Sequence, residues 1–208
     1  MKVGLIDYGR GNLRSVEKAL QKLHAEVRRI SGPEDFAGCD AVVLPGVGAF
    51  GDAMNNLHDR KLVQPVREWL DSDRPFLGIC LGFQLLFEES DESPGVKGLG
   101  WMKGRVVRFP DSLKKIPHMG WNVVQPVNQG VDLFRGLPGQ PYFYHVHSYY
   151  PEPADADDAA CHTEYDGVRF VSGVARGSKA AFQFHPEKSQ RNGLMLLENF
   201  LNGLAVPI

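Results

Sequence analysis

Cys80 stands between Gly78 and Gly82, where an apolar run over residues 75–80 gives way to a helical pattern. Small residues two before and two after a nucleophile let the chain turn sharply from strand into helix, so the side chain at the apex projects from the sheet end. With a thiol at that apex, the segment reads as the cysteine version of a nucleophile elbow. A helix N-terminus suits it, because the dipole and free N–H groups favour thiolate over thiol. Tight strand–helix packing produces the same glycine spacing, so the elbow needs a base elsewhere in the chain before it means catalysis.

That base is His185, in the run Ala181-Phe182-Gln183-Phe184-His185-Pro186-Glu187 at the end of a second apolar strand. An imidazole takes the proton of a cysteine nucleophile and later returns it to the leaving group, and a third group fixes its tautomer. Glu187 is the expected third group: in an extended segment, residues two apart face the same way, and Pro186 stiffens the link. Alone, a His-Pro-Glu would be a strand end beside a surface carboxylate. Together with Cys80 it reads as a Cys-His-Glu triad.

The elements that must carry these residues alternate. A strand is expected over residues 2–7, a helix over 13–23, a strand over 41–44, helices within 49–70 and a strand over 76–80. Near-continuous apolar strands alternating with helices imply an α/β fold, a parallel sheet covered on both faces with chemistry beyond the carboxyl ends of its strands. Asp7, Pro45 and Cys80 fall at those ends. Short runs at 106–109, 123–124, 142–147, 168–175 and 180–184 suggest an antiparallel extension. A last amphipathic helix over 192–201 turns Leu194, Leu197 and Leu201 inward, and residues 152–158 read as an acidic, mobile loop.

A chain of 208 residues can bury a large core. Its formal charge of −2, mixed along the sequence, points away from nucleic acid and membrane surfaces and towards a small-molecule substrate. The absence of an 18-residue apolar run, with Met1 leading straight into a strand, gives a cytoplasmic expectation without signal peptide or transmembrane span. Three widely spaced cysteines, Cys39, Cys80 and Cys161, form neither a disulfide framework nor a zinc knuckle.

Three patterns mislead. Residues 8–14 imitate a dinucleotide fingerprint, but Arg14 replaces its third glycine. Residues 45–51 imitate a phosphate-binding loop, but Asp52 stands where the lysine belongs. That glycine-rich turn can still aim backbone N–H groups at an oxyanion beside the amide following Cys80. His145 and His147 share a strand face, yet no carboxylate or cysteine partner lies at ligand spacing, so they read as core or surface histidines and no metal or cofactor is called for.

Taken together the motifs carry a resemblance that spans nearly the whole chain. Asp7-Tyr8-Gly9, Leu44-Pro45-Gly46-Val47-Gly48-Ala49-Phe50, Gly78-Ile79-Cys80-Leu81-Gly82, Ile116-Pro117-His118-Met119-Gly120-Trp121-Asn122, His147-Ser148-Tyr149-Tyr150 and Phe184-His185-Pro186-Glu187 resemble the class I (triad) glutamine amidotransferases. Within them the match is to the glutaminase subunits of imidazole glycerol phosphate synthases, and Phe83 replaces a common methionine. The resemblance implies one amidotransferase domain over residues 1–208 with a flavodoxin-like fold. It implies that Cys80, His185 and Glu187 hydrolyse L-glutamine through a thioester. Gly46, Gly48, Gln84, Ser148 and Tyr149 would line the glutamine pocket. Val47, Gly48 and Leu81 would form the oxyanion hole, after the turn reorients. Ammonia would pass to a (β/α)8 cyclase barrel in a heterodimer, docked through Asn12, His118, Met119 and Trp121. Three alternatives share the same motifs: a glutaminase serving another synthase, a free-standing cysteine hydrolase, and a non-catalytic module.

Overall fold

The computed structural model describes residues 1–9, 11–127 and 132–203; Arg10, in the early glycine-rich turn, lies outside them. The parallel part of the sheet is built from β1 (Lys2–Ile6), β2 (Glu26–Ile30), β3 (Ala41–Gly46), β4 (Phe76–Cys80) and β12 (Lys179–Phe182). The antiparallel part adds β7 (His118–Pro126), β8 (Tyr142–His147), β10 (Ala159–Tyr165) and β11 (Val168–Arg176). They form one nine-stranded sheet in the order β2-β1-β3-β4-β12-β11-β10-β7-β8. A second sheet joins β5 (Glu89–Ser90), β6 (Gly104–Arg108) and β9 (Tyr149–Pro153). The expected α/β fold with an antiparallel extension is therefore the observed one.

The central strands are buried on both faces, and the period of two decides which core each residue enters. Val42, Leu44 and Phe76 pack under α2 (Phe50–Asp59) and α3 (Val63–Asp71) with Met54, Leu57, Val66 and Trp69. Ala41, Val43, Leu77 and Ile79 face the other way, against α1 (Leu13–Lys22) and α5 (Gln190–Gly203) with Val16, Leu20, Leu197 and Phe200. Leu197 and Leu201 of α5 are buried as the pattern requires, whereas Leu194 is only partly covered. No helix among the described residues is long and apolar enough to cross a membrane.

Three strands escape the periodicity. β2 carries Glu26, Arg28 and Arg29 on the sheet edge and buries only Ile30, so it shows no apolar run. β10 has an irregular register against β11 between Ala159 and His162, which breaks its alternation. Residues 152–158, expected as a mobile loop, are in part ordered structure. Glu152 and Pro153 complete β9, paired with β6, and residues 156–158 form a 3-10 turn.

Candidate active site

The elbow is real and strained. Cys80 ends β4 with φ +55°, a left-handed conformation that a non-glycine residue holds only when its surroundings enforce it. The next residue begins the short helix α4 (Leu81–Gln84). Gly82 is pressed against the carbonyl of Leu44, and a Cβ on Gly78 would lie 2.9 Å from that of Ala181. The two glycines thus let α4 and β12 close around the cysteine.

Sheet register brings the base to the nucleophile. β12 runs parallel to β4 with Ile79 level with Phe182, so the chain beyond Phe182 leaves the sheet beside Cys80. His185 Nδ1 bonds Glu187 Oε1 at 2.8 Å, and both side chains are almost completely buried. The contact is made differently from the expectation: Pro186–Lys188 is a 3-10 turn, and it is this turn, not an extended segment, that folds Glu187 back onto the ring. Nδ1 is thus engaged, while the buried Nε2 makes no hydrogen bond among the described residues and is available to the nucleophile across the cleft. Burial pushes the imidazole down, but the Cys80 thiolate, then Glu187, overcome this and raise it to about 10. The imidazole is thus biased towards its protonated form beside the sulfur. The turn is clamped to β8 by His185 N–H donating to Tyr144 O at 2.9 Å and Tyr144 N–H donating to Ser189 Oγ at 2.9 Å.

A cleft of about 360 Å³ opens over the sulfur, lined by Val47, Gly48, Cys80, Leu81, Gln84, Glu92, Ser148, Tyr149 and His185, with Pro117, Val146 and His147 completing the wall. It thereby gathers the triad's Cys80 and His185, the oxyanion residues and most of the pocket expected from sequence. Gly46 lies in β3, level with Cys80, where a Cβ would strike Tyr8 and Leu81; it makes room for the elbow and does not line the cleft.

Two residues at the site were not visible in the sequence. Glu92 stands on the cleft wall with its carboxylate accepting from Phe50 N–H at 2.7 Å, and no spacing rule links it to Cys80. Gln183 is fully buried, with Nε2 3.7 Å from Cys80 Sγ and Oε1 accepting from Gln84 Nε2 at 3.1 Å. Its signal was a polar residue inside the apolar strand end that leads to His185.

His118 requires a correction. Expected on a docking surface, it is 2% exposed. Period two along β7 sends Met119 and Trp121 outward, 52% and 47% exposed, and His118 inward. Asn12 is half-buried at the start of α1, where its side-chain oxygen accepts from Ser15 Oγ.

His118 meets His145 and His147 with one nitrogen of each within 4.8 Å of the others, a grouping that could hold a metal ion. Proton positions favour a hydrogen-bonded cluster instead. Asn122 Nδ2 donates to Glu164 O at 2.8 Å and lies 3.2 Å from His118 Nε2, which must therefore accept. His118 Nδ1 then carries hydrogen and donates to His147 Nε2 at 3.1 Å, while His147 Nδ1 donates to Tyr149 O at 2.9 Å. Burial holds His118 down to about 4 and His145 and His147 well below the usual imidazole range.

The sequence matches the family described as "Glutamine amidotransferase class-I" over residues 4–204. It is 50% identical to the imidazole glycerol phosphate synthase subunit HisH of Methylococcus capsulatus, covering 96% of this chain and 95% of that one. The subunit of the same name from Methanocaldococcus jannaschii is 48% identical, covering 96% and 98%. Among solved structures the fold is shared with a glutamine amidotransferase, TM-score 0.76 at 19% identity over 98% of this chain and 99% of that one. It is shared also with a chain of PurLQS from Thermotoga maritima, TM-score 0.78 at 17% identity over 98% of each.

Proposed function

The chain belongs to the class-I glutamine amidotransferases, and from that premise we propose that it is the glutaminase subunit of an imidazole glycerol phosphate synthase, hydrolysing glutamine to glutamate and ammonia. The observation that carries the reading is the buried His185–Glu187 pair at 2.8 Å, whose histidine lines the same cleft as a strained Cys80.

In this reading the Cys80 thiolate attacks the side-chain carbonyl carbon of glutamine. The oxyanion that forms is held by the Leu81 N–H and an amide of the Val47–Gly48 turn. His185 Nε2–H gives its proton to the departing ammonia, leaving a glutamyl thioester. Neutral His185 then takes a proton from water, whose oxygen displaces the sulfur and releases glutamate with the thiolate restored. Glu187 holds the imidazolium in place throughout. Gln84 spends both amide hydrogens, on Tyr149 O at 3.0 Å and Gln183 Oε1 at 3.1 Å, so it offers substrate an acceptor. Glu92 supplies the negative charge that suits an α-ammonium group. The Ser148–Tyr149 backbone remains for the α-carboxylate end.

Free ammonia in water at neutral pH is protonated and ceases to be a nucleophile, so a glutaminase that feeds a synthesis needs its product kept from solvent. Relatives at about half identity are named as subunits, which implies a partner subunit. We take the partner to be a (β/α)8 cyclase barrel in a cytoplasmic heterodimer that uses the ammonia to form imidazole glycerol phosphate and an aminoimidazole carboxamide ribonucleotide in histidine biosynthesis. The test is glutamate release by this chain alone and with the cyclase and its nucleotide ligand, with Cys80→Ala as blank. Low release alone that rises strongly in the complex supports the reading. A complex that forms and leaves the rate unchanged, while a glutamine-analogue alkylating agent still labels Cys80, assigns the chain to another pathway or to a free-standing hydrolase.

A further inference from the structure

Among the described residues, one side-chain amide near Cys80 Sγ is used by neither the triad nor the oxyanion turn: that of Gln183, whose Nε2 lies 3.7 Å from the sulfur and whose residue is wholly buried. An amide can present either end, so its direction must be set elsewhere. The chain of bonds leading away from it sets that direction without ambiguity. Tyr149 O is a backbone carbonyl and can only accept; it receives Gln84 Nε2 at 3.0 Å and His147 Nδ1 at 2.9 Å. Gln84 Nε2 therefore also faces Gln183 Oε1, and Gln183 is left with its N–H pointing at Cys80. A reversed Gln183 would set two donors against each other at 3.1 Å and bury an oxygen beside the sulfur.

We infer that Gln183 is a positioning residue for the nucleophile. Its side-chain N–H, aimed by the Tyr149 carbonyl through Gln84, donates to the Cys80 thiolate and holds the sulfur in its ionised, attacking orientation. The donor has a competitor: Val146 O lies 4.0 Å from Sγ and can bond only the protonated thiol. Gln183 favours the thiolate and Val146 the thiol, with His185 as the exchange partner. The same chain links sulfur chemistry to the β7–β8 hairpin, because His147 Nε2 itself accepts from His118 Nδ1 at 3.1 Å, with His145 Nδ1 packed 3.3 Å away.

The inference rests on Cys80 being the nucleophile, and the experiment separates the two claims. The rate of Cys80 alkylation by iodoacetamide is followed from about pH 5 to about pH 10 in the full chain, with Cys80→Ala as blank and thermal unfolding as a check on fold. Gln183→Met keeps the volume and removes donor and acceptor. Gln183→Glu keeps the acceptor that Gln84 needs and puts a carboxylate oxygen where the donor stood, adding a negative charge beside the sulfur, so that Gln183→Met isolates the loss of the hydrogen bond. Both are expected to slow alkylation near neutral pH by about tenfold or more, the scale of one hydrogen bond to a charged acceptor, and to approach the wild-type rate at high pH, where the Cys80 thiol ionises without the donor's help. A role in packing alone would alter the rate equally at all pH values. An unchanged profile in a folded Gln183→Glu variant overturns the inference, whereas a wild-type Cys80 that does not react overturns the nucleophile assignment itself.

Discussion

At the scale of single residues the site divides into groups that hold shape and groups that hold charge. Gly82 belongs to the first: a Cβ there meets the backbone carbonyl of Leu44, which cannot swing aside as a side-chain tip would. Gly82→Ala is expected to lower stability by about 1–3 kcal/mol, the usual cost of overpacking, and to inactivate by displacing the elbow; an unchanged melting temperature would contradict it. Glu187 belongs to the second. Glu187→Gln keeps its shape and the hydrogen bond to His185 but loses the charge and misdirects the tautomer, so glutaminase turnover should fall by roughly 10²- to 10⁴-fold with little change in unfolding. Cys80, His185 and Glu187 were legible in the sequence because their spacings are local: glycines two away, a carboxylate two away. Gln183 left only the faint mark of a polar residue in an apolar strand end, and Glu92 none, because the parallel register of β12 on β4 brings the first to the sulfur and the path of the chain brings the second to the cleft wall.

At the scale of elements, strands buried on both faces announced themselves and edge or irregular strands did not. β3 and β4 read as apolar runs, whereas β2, with alternate charged residues on an open edge, and β10, broken by its register shift, had no periodic signal. β7 was the instructive partial success. Its alternation, carried through residues 118–122, was enough to place His118 opposite Met119 and Trp121, but the motif resemblance grouped all three on one surface. The inward histidines have a thermodynamic consequence. The folded chain holds His118, His145 and His147 neutral, while unfolded imidazoles bind protons below about pH 6.5. The unfolded state therefore carries more protons in acid, and stability, intact above that value, must fall as pH drops towards about 4, by up to about 1.4 kcal/mol per pH unit for each histidine. Urea midpoints measured across this range should show that decline, and His145→Leu should flatten it by close to one proton's worth. A variant with the same slope as wild type would mean that His145 does not titrate with folding.

At the scale of the whole molecule, the catalytic turn lies where the parallel and antiparallel halves of the sheet meet, and the edge of the antiparallel half is exposed. β8 closes the nine-stranded sheet, and its outward face with that of β7 presents Met119, Trp121 and Tyr142, each roughly half exposed. The other face of the same hairpin carries the histidine cluster, and the β8 backbone at Tyr144 holds both ends of the 185–189 turn. A partner seated on the outer face would therefore press on the strand that fixes His185, while covering a product that water would otherwise protonate. Trp121 is the natural anchor of such a contact: large, amphipathic, packed on one side against Tyr144 at 6.1 Å between ring centroids and open on the other. Removing its ring costs the isolated chain little, because 47% of the residue is already in water. Trp121→Ala is thus expected to leave the melting temperature near wild type and to weaken cyclase binding by about 10- to 100-fold, measured by titration calorimetry. His118→Ala, on the inner face of the same strand, should show the opposite balance, with lower stability and a smaller effect on affinity. Equal affinity for the Trp121→Ala chain would move the docking surface away from this hairpin, and with it the route by which a partner could act on the catalytic turn.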